Sequence, residues 1–417
     1  MKIESLSPDN LTAIFLSLGI LLLSAFVFGK IFTFLKAPKV IGEIIGGFVL
    51  GASGFYIVAP ELITQIFLNF QEQGKILNTF YQLGLIFLMF IAGFNTQINF
   101  EKQNIKIISI LFLGATFIPI VLGYFFIDYF KDSFIGEKGN DLSFSLVFLI
   151  AIAVTSIPVI SKIFFDIGII KTRFASIVLT TSTIQDLFLW ILLNVAINAS
   201  TSNSFSIENN LWTAFITIIL FILVKILANI VSKIRFHFES IDFFTLSFVL
   251  LFLAIALLNI VHINPMYTSF LVGFLIKNTL QNSLELKERI TSISDFSFSC
   301  FIPIYFALIG IQLNVIHEFS FIMFVMFCLL ACVLEFFGSY ISLLSLKISN
   351  ISRVNFAITM NARGGPGIVL ASVAFYYQII NTNFFTTLIL TTLFSSMLAG
   401  YWLRYQKNKN DEVFYRF

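Results

Sequence analysis

The chain has 417 residues, 58% of them hydrophobic and only 11% charged, with a mean hydropathy of +0.96 and a formal net charge of +3. Soluble proteins carry roughly 25% charged residues, so this composition excludes a globule that covers its own core with polar surface. A net charge this small offers no electrostatic footprint for nucleic acid, and the surrounding expected is the lipid bilayer.

About thirteen apolar runs can be drawn, each near the roughly 20 residues that a spanning helix needs. They cover 11–35, 41–59, 76–97, 105–128, 143–165, 173–197, 211–234, 243–261, 264–281, 296–316, 319–347, 354–379 and 384–404. The reading is an all-α integral membrane protein. The first run is no cleaved signal, because no small-residue cleavage pattern follows it and further spans come directly after. Only Lys36–Lys39 separates it from the second, which carries Glu43 near its end. Placing Met1 outside puts the 25 Lys and Arg in cytoplasmic loops and the C-terminus, except Lys2, Lys75, Lys131, Lys138 and the intramembrane Arg363. By the positive-inside rule the N-terminus is outside and the C-terminus cytoplasmic, in the cell (inner) membrane.

The fifth span contains Thr155-Ser156-Ile157-Pro158-Val159. Such a stretch predicts an interrupted helix, which a membrane tolerates only where the backbone is buried or lines a cavity. The sixth span carries Gln185-Asp186 in mid-run, with Ser182 one turn before Asp186 on the same helix face. Acids in mid-membrane mark ion or proton pathways. Burial favours the protonated carboxyl and a nearby cation favours the ionised one, so one acid can hold a proton or a cation but not both. Ser182, Thr155 and Ser156 supply oxygens that would complete a cation's shell. Gln185 cannot titrate; it either ligates and positions, or bonds a neighbouring helix.

Further along, Cys328 and Cys332 lie four residues apart in the eleventh span, with no CxxC and no nearby His, so neither a resident metal nor a cofactor is expected. Glu335 lies in the same span. The twelfth carries Asn361-Ala-Arg363-Gly364-Gly365-Pro366-Gly367, whose glycines and proline again forbid regular helix. Arg363 stays charged and must pair, with Glu335 and Glu43 as the candidates. His237, His262 and His317 fall at span ends, and the tail Gln406–Phe417 is read as too short to fold.

Two segments echo across the chain. Ile86–Asn95, centred on Gly93, resembles Ile304–Asn314 around Gly310, and Pro38 to Phe48 resembles Pro265 to Phe274. The copies start on opposite sides of the membrane, so the repeat is inverted. Inverted repeats with paired broken helices are the architecture of secondary transporters.

Pro38 to Gly51, Leu83 to Gly93, Thr155 to Val159, Gln185-Asp186 and Met360 to Gly364 together resemble the monovalent cation:proton antiporter-2 family, the Kef-like branch of the sodium/proton exchanger superfamily. The resemblance runs the whole chain in order. It implies a 13-span inverted-repeat fold with two discontinuous crossing helices. It implies a homodimerising scaffold (spans near 11–97 and 243–316), a mobile core (near 105–197 and 319–404) that moves like an elevator, and a linker span near 211–234. It also implies that Asp186 is the shared carrier. Many relatives have Asp-Asp or Asn-Asp at the Gln185-Asp186 positions; Gln-Asp resembles the potassium-handling members. Those usually add a C-terminal regulatory domain, whereas a single membrane domain, 1–417, is expected here. Relatives often carry Lys where this chain has Glu335, and an acid where it has Gly367. Arg363 then takes Glu335 as its partner, unless Glu335 titrates as a second carrier.

The expected function is a secondary antiporter that exchanges K+ or Na+ for protons. The alternative is a uniporter or anion-coupled transporter with substrate on Arg363. An enzyme is not expected, because no His is placed with an acid in a catalytic cluster.

Overall fold

A computed structural model describes residues 5–35, 38–95, 104–201, 240–260, 263–279, 284–316 and 318–415, with scattered helical residues between 215 and 230. Lys36, Lys102, His237, His262, His317 and most of the run 211–234 lie outside the described residues. Helices are the only elements longer than an isolated bridge among those described, as hydrocarbon demands of a backbone that must satisfy its own hydrogen bonds.

In chain order the first helices are α1 (Pro8–Phe34), α2 (Lys39–Leu50), α3 (Phe55–Val58), α4 (Pro60–Phe67) and α5 (Gln73–Asn95). Next come α6 (Ile105–Phe112), a π-helical turn (Leu113–Phe117), α7 (Ile118–Tyr124), α8 (Ile127–Phe134), α9 (Asp141–Ala153), α10 (Ile157–Asp166) and α11 (Arg173–Thr201). The second half holds α12 (Ser240–Ile260), α13 (Pro265–Thr279), α14 (Leu284–Ser299), α15 (Phe301–Gln312), α16 (Phe321–Leu343), α17 (Asn350–Met360), α18 (Gly364–Tyr376) and α19 (Thr382–Lys409).

Among the described residues, eight helices are long and apolar enough to cross a bilayer. They account for the first four apolar runs and the sixth, tenth, eleventh and thirteenth. The fifth and twelfth runs each arrive as two half-helices, α9 with α10 and α17 with α18. The eighth and ninth are α12 and α13.

The chain divides into two compact units, Met1–Asn95 with Phe221–His317, and Thr96–Leu220 with Glu318–Phe417. In the first, α2 packs on α15 and α5 on α13. Both contacts are backbone-close. A Cβ at Gly47 would stand 1.8 Å from the Ala307 carbonyl oxygen, and one at Gly273 would stand 2.0 Å from that of Phe90. The echoing segments therefore exchange partners, each half's second span against the other half's third, as an inverted repeat requires.

The second unit centres on α11, which packs against α9, α6 and α10. Where α9 and α19 begin, Phe134 stacks on Phe384 at 4.4 Å, and Phe148 and Phe327 close on the pair. Where α11 and α17 begin, Phe174 meets Phe356 at 4.5 Å and Phe414 at 5.3 Å. This last contact corrects the reading of the tail. Helix α19 runs on to Lys409, Lys407 pairs with Asp411, and the 3-10 turn Asp411–Phe414 buries Val413 and Phe414 in the unit's apolar core. The tail needs no fold of its own because two apolar side chains suffice to fill the open end of that cluster.

Phe414→Ala should therefore cost about 3–5 kcal/mol, the usual range for a fully buried Phe. Thermal unfolding in detergent should show a clear drop in midpoint, whereas Phe34→Ala, at a residue 86% exposed, should shift it little.

Candidate functional site

The two interrupted spans cross within the second unit, and each supplies what the other's broken ends lack. The non-helical residues are Val154–Ser156 and Asn361–Arg363. Pro158, Gly364, Gly365 and Pro366, expected within the breaks, instead form the first turns of α10 and α18. A proline's missing N–H does no harm in a first turn, where it has no intrahelical acceptor, so proline marks where the second half-helix starts. Gly364 adopts φ +38°, a conformation that costs a residue with a Cβ.

Helix ends leave unpaired carbonyls and N–H groups that must find partners when buried. At the end of α9, Arg363 Nε and Nη2 donate to the carbonyls of Ala151 (3.3 Å) and Ile152 (3.1 Å). The Ala153 carbonyl accepts from Gln185 Nε2 at 2.5 Å. At the end of α17, the Thr155 hydroxyl donates to the Met360 carbonyl (2.6 Å), and the Ser156 N–H donates to that of Ala362 (2.6 Å). Ser156 Oγ caps both second halves, accepting from Val159 N at 3.3 Å and Gly365 N at 3.2 Å. Gly364 N donates to Ser396 Oγ at 3.0 Å. Arg363 thus places a positive charge against the negative end of the α9 dipole.

The buried charged residues among those described are Glu43, Asp186, Glu335 and Arg363. Glu43 belongs to the first unit and pairs with Lys39 at 2.8 Å, not with Arg363. Arg363 Nη2 lies 2.8 Å from Glu335 Oε2, with both side chains almost wholly buried. Glu335 Oε1 is 3.1 Å from Thr155 Oγ1, and Cys332 Sγ is 3.6 Å from Arg363 Nη1. Among the described residues Asp186 has no such neighbour. Its Oδ1 is buried without a hydrogen-bond partner. It lines a cavity of about 10 Å³ with Ile150, Val154, Leu189, Trp190, Leu193, Pro366 and Leu370.

Of the oxygens expected around Asp186, none of the others lines that cavity. Ser182 Oγ rests 3.9 Å from Met360 Sδ, and Thr155 and Ser156 serve the crossing. Gln185 spans two elements, because its Nε2 also donates to the Ala115 carbonyl at 3.2 Å, inside the π-turn of the fourth span. Its Oε1 and the Thr116 hydroxyl are buried without partners. Sequence reading missed Trp190, Ser396 and the π-turn, and it named Met360 only within the family motif. Trp190 follows Asp186 by one helical turn, a spacing that the sequence shows. Nothing in it signals a π-turn.

The transmembrane sodium/hydrogen exchanger family model matches residues 20–405. Over 413 residues the chain is 23% identical to a Na+/H+ antiporter, NhaS4, of Synechocystis, covering 95% of this chain and 97% of that protein. It is 26% identical to a probable Na+/H+ antiporter of Methanocaldococcus jannaschii, covering 87% and 88%. It is 29% identical to the K+/H+ antiporter 1 of Saccharomyces cerevisiae, covering 68% of this chain and 33% of that one. Its fold matches the sodium/proton antiporter MjNhaP1 of M. jannaschii at pH 8, with a TM-score of 0.68, 18% identity, and 96% and 99% of the two chains covered.

Removing one member of a buried ion pair strands the other and costs on the order of 3–5 kcal/mol. Arg363→Ala and Glu335→Gln should each lower the unfolding midpoint, and the double variant should lose clearly less than the sum. Additive losses in that cycle would show that the 2.8 Å contact carries no coupling.

Proposed function

This chain belongs to the sodium/hydrogen exchanger family, and from that premise we propose that Asp186 is its exchange site, loaded alternately by a proton and by a monovalent cation. The protein is a secondary active antiporter in a multi-pass membrane fold. The names of its relatives specify both sodium and potassium exchange.

One observation carries the assignment. Among the described residues Asp186 is the buried acid of the second unit that lacks a basic partner, and one of its oxygens is unpaired beside a cavity. Glu335 and Arg363 neutralise each other, so they cross the membrane interior as a pair without net charge. An empty, ionised Asp186 is costly in that interior, whereas the protonated or cation-loaded acid is not. The site therefore reorients only when occupied, and occupancy by one ion excludes the other. Exchange without leak follows from that rule.

The crossing residues hold this acid in place. Thr155, Ser156 and Gln185 position the frame, and Arg363 with Glu335 compensates the α9 end. The second unit, which carries all of them, is the mobile core. The first is the scaffold and the homodimer contact, with its Glu43–Lys39 pair a local structural feature. The distribution of Lys and Arg supports an external N-terminus and a cytoplasmic C-terminus in the cell membrane. An anion-binding role for Arg363 finds no support, because its donors face Glu335, Cys332, Asn361 and backbone carbonyls.

Asp186→Asn should abolish cation-dependent proton movement in proteoliposomes while yield and unfolding midpoint stay near those of the parent. Substantial exchange by a well-folded Asp186→Asn protein would remove the basis of the assignment.

A further inference from the structure

The wall of the cavity beside Asp186 is apolar apart from that carboxylate. Ile150 and Val154 come from the end of α9, Pro366 and Leu370 from α18, and Leu189, Trp190 and Leu193 from α11. Its free space, about 10 Å³, is close to the volume that one water-sized particle requires. A fully hydrated ion does not fit inside it, so a cation reaching Asp186 here sheds part of its water.

What replaces that water decides which cation binds. A small, strongly hydrated ion such as sodium or lithium needs several oxygens in its place, because burying a charge without them is expensive. The lining side chains contribute only the Asp186 carboxylate. Thr155, Ser156 and Ser182 lie on other contacts. The remaining cation-attracting group is an indole. Trp190 stands four residues after Asp186 on α11, on the same helix face, and is 7% exposed. Tryptophan is the strongest of the aromatic side chains in attracting a cation, and the attraction grows when the pair is out of water. A ring holds a weakly hydrated ion well and repays little of a small ion's hydration.

We propose that Trp190 is a specificity-determining residue of the exchange, selecting weakly hydrated monovalent cations of the potassium class over sodium and lithium. The proposal rests on Asp186 being the exchange site and deepens that reading by naming the cation. Leu189 and Leu193 add only apolar surface to the lining, so Asp186 and the indole are the lining side chains that attract a cation.

The test is proton movement in proteoliposomes with K+, Rb+, Na+ and Li+ added singly, read as the half-saturating concentration of each. The parent protein should saturate at lower K+ and Rb+ than Na+ and Li+. Trp190→Leu should raise the half-saturating K+ by about 2- to 30-fold, the range a cation–π contact spans. It should leave Na+ within about twofold, so that the preference narrows. Trp190→Phe, which keeps a weaker ring and folds more safely, should shift K+ in the same direction by less. Equal shifts for all four cations in both variants, or a parent that prefers Na+, would overturn the proposal. That result, with exchange still abolished in Asp186→Asn, would leave the exchange site standing and remove only Trp190's role. Loss of the exchange site itself would instead be read from Asp186→Asn retaining activity.

Discussion

The structure depends on one constraint, that a helix broken inside hydrocarbon must satisfy its exposed backbone groups within the protein. Two such breaks in isolation would leave many polar groups stranded. Crossed, they complete one another. Thr155 and the Ser156 N–H reach the end of α17, Arg363 reaches the end of α9, and the Ser156 hydroxyl caps α10 and α18 together. Each bond made by one break stabilises the other, so neither span can regain a regular helix alone. The crossing is a rigid unit for that reason, and it fixes where the carboxylate of α11 lies.

Charge follows from the same geometry. The crossing brings Arg363 into the membrane interior, and Glu335 on α16 answers it at 2.8 Å. The acceptors at the end of α9 are completed by the neutral amide of Gln185. A carboxylate at position 185 could not donate to the Ala153 and Ala115 carbonyls when ionised, so the amide suits a site with a single titrating acid. Among the described residues the result is one unpartnered carboxylate beside a small apolar cavity, in a unit whose other buried charges, Arg363 and Glu335, match each other.

Much of this could be read from residue types, and the rest depended on distance. Pro158 and Gly364–Pro366 announced the breaks, yet they open the following half-helices, because a proline is accommodated in a first turn rather than in the gap before it. Asp186 was conspicuous in its run. The oxygens set around it from spacing alone, Thr155, Ser156 and Ser182, bond other partners, since the groups that claim them come from spans about 200 residues away. The Gln185 contact to the π-turn was invisible for the same reason. Trp190 was passed over among the aromatic residues that make up 17% of the chain, although it is one of only three tryptophans and stands one turn after Asp186. The tail was misjudged because Gln406–Phe417 looked too short to fold, although Val413 and Phe414 needed only to fill an existing cluster. The glycine echoes near 47, 93, 273 and 310 were weak as sequence and became meaningful once they exchanged partners across the repeat.

The central claim is that a single acid carries both ions while Glu335 stays fixed on Arg363. One proton then exchanges for one monovalent cation, and a full cycle moves no net charge. The most direct test is the rate of cation-driven proton movement in proteoliposomes held at two membrane potentials, with total potassium matched because it is itself a candidate substrate. A potential of 100 mV is worth about 2.3 kcal/mol for each charge moved, so a charge-moving cycle could not hide. The account predicts rates that do not change with potential. A clear dependence on potential would contradict it and bring Glu335 into the cycle as a second carrier.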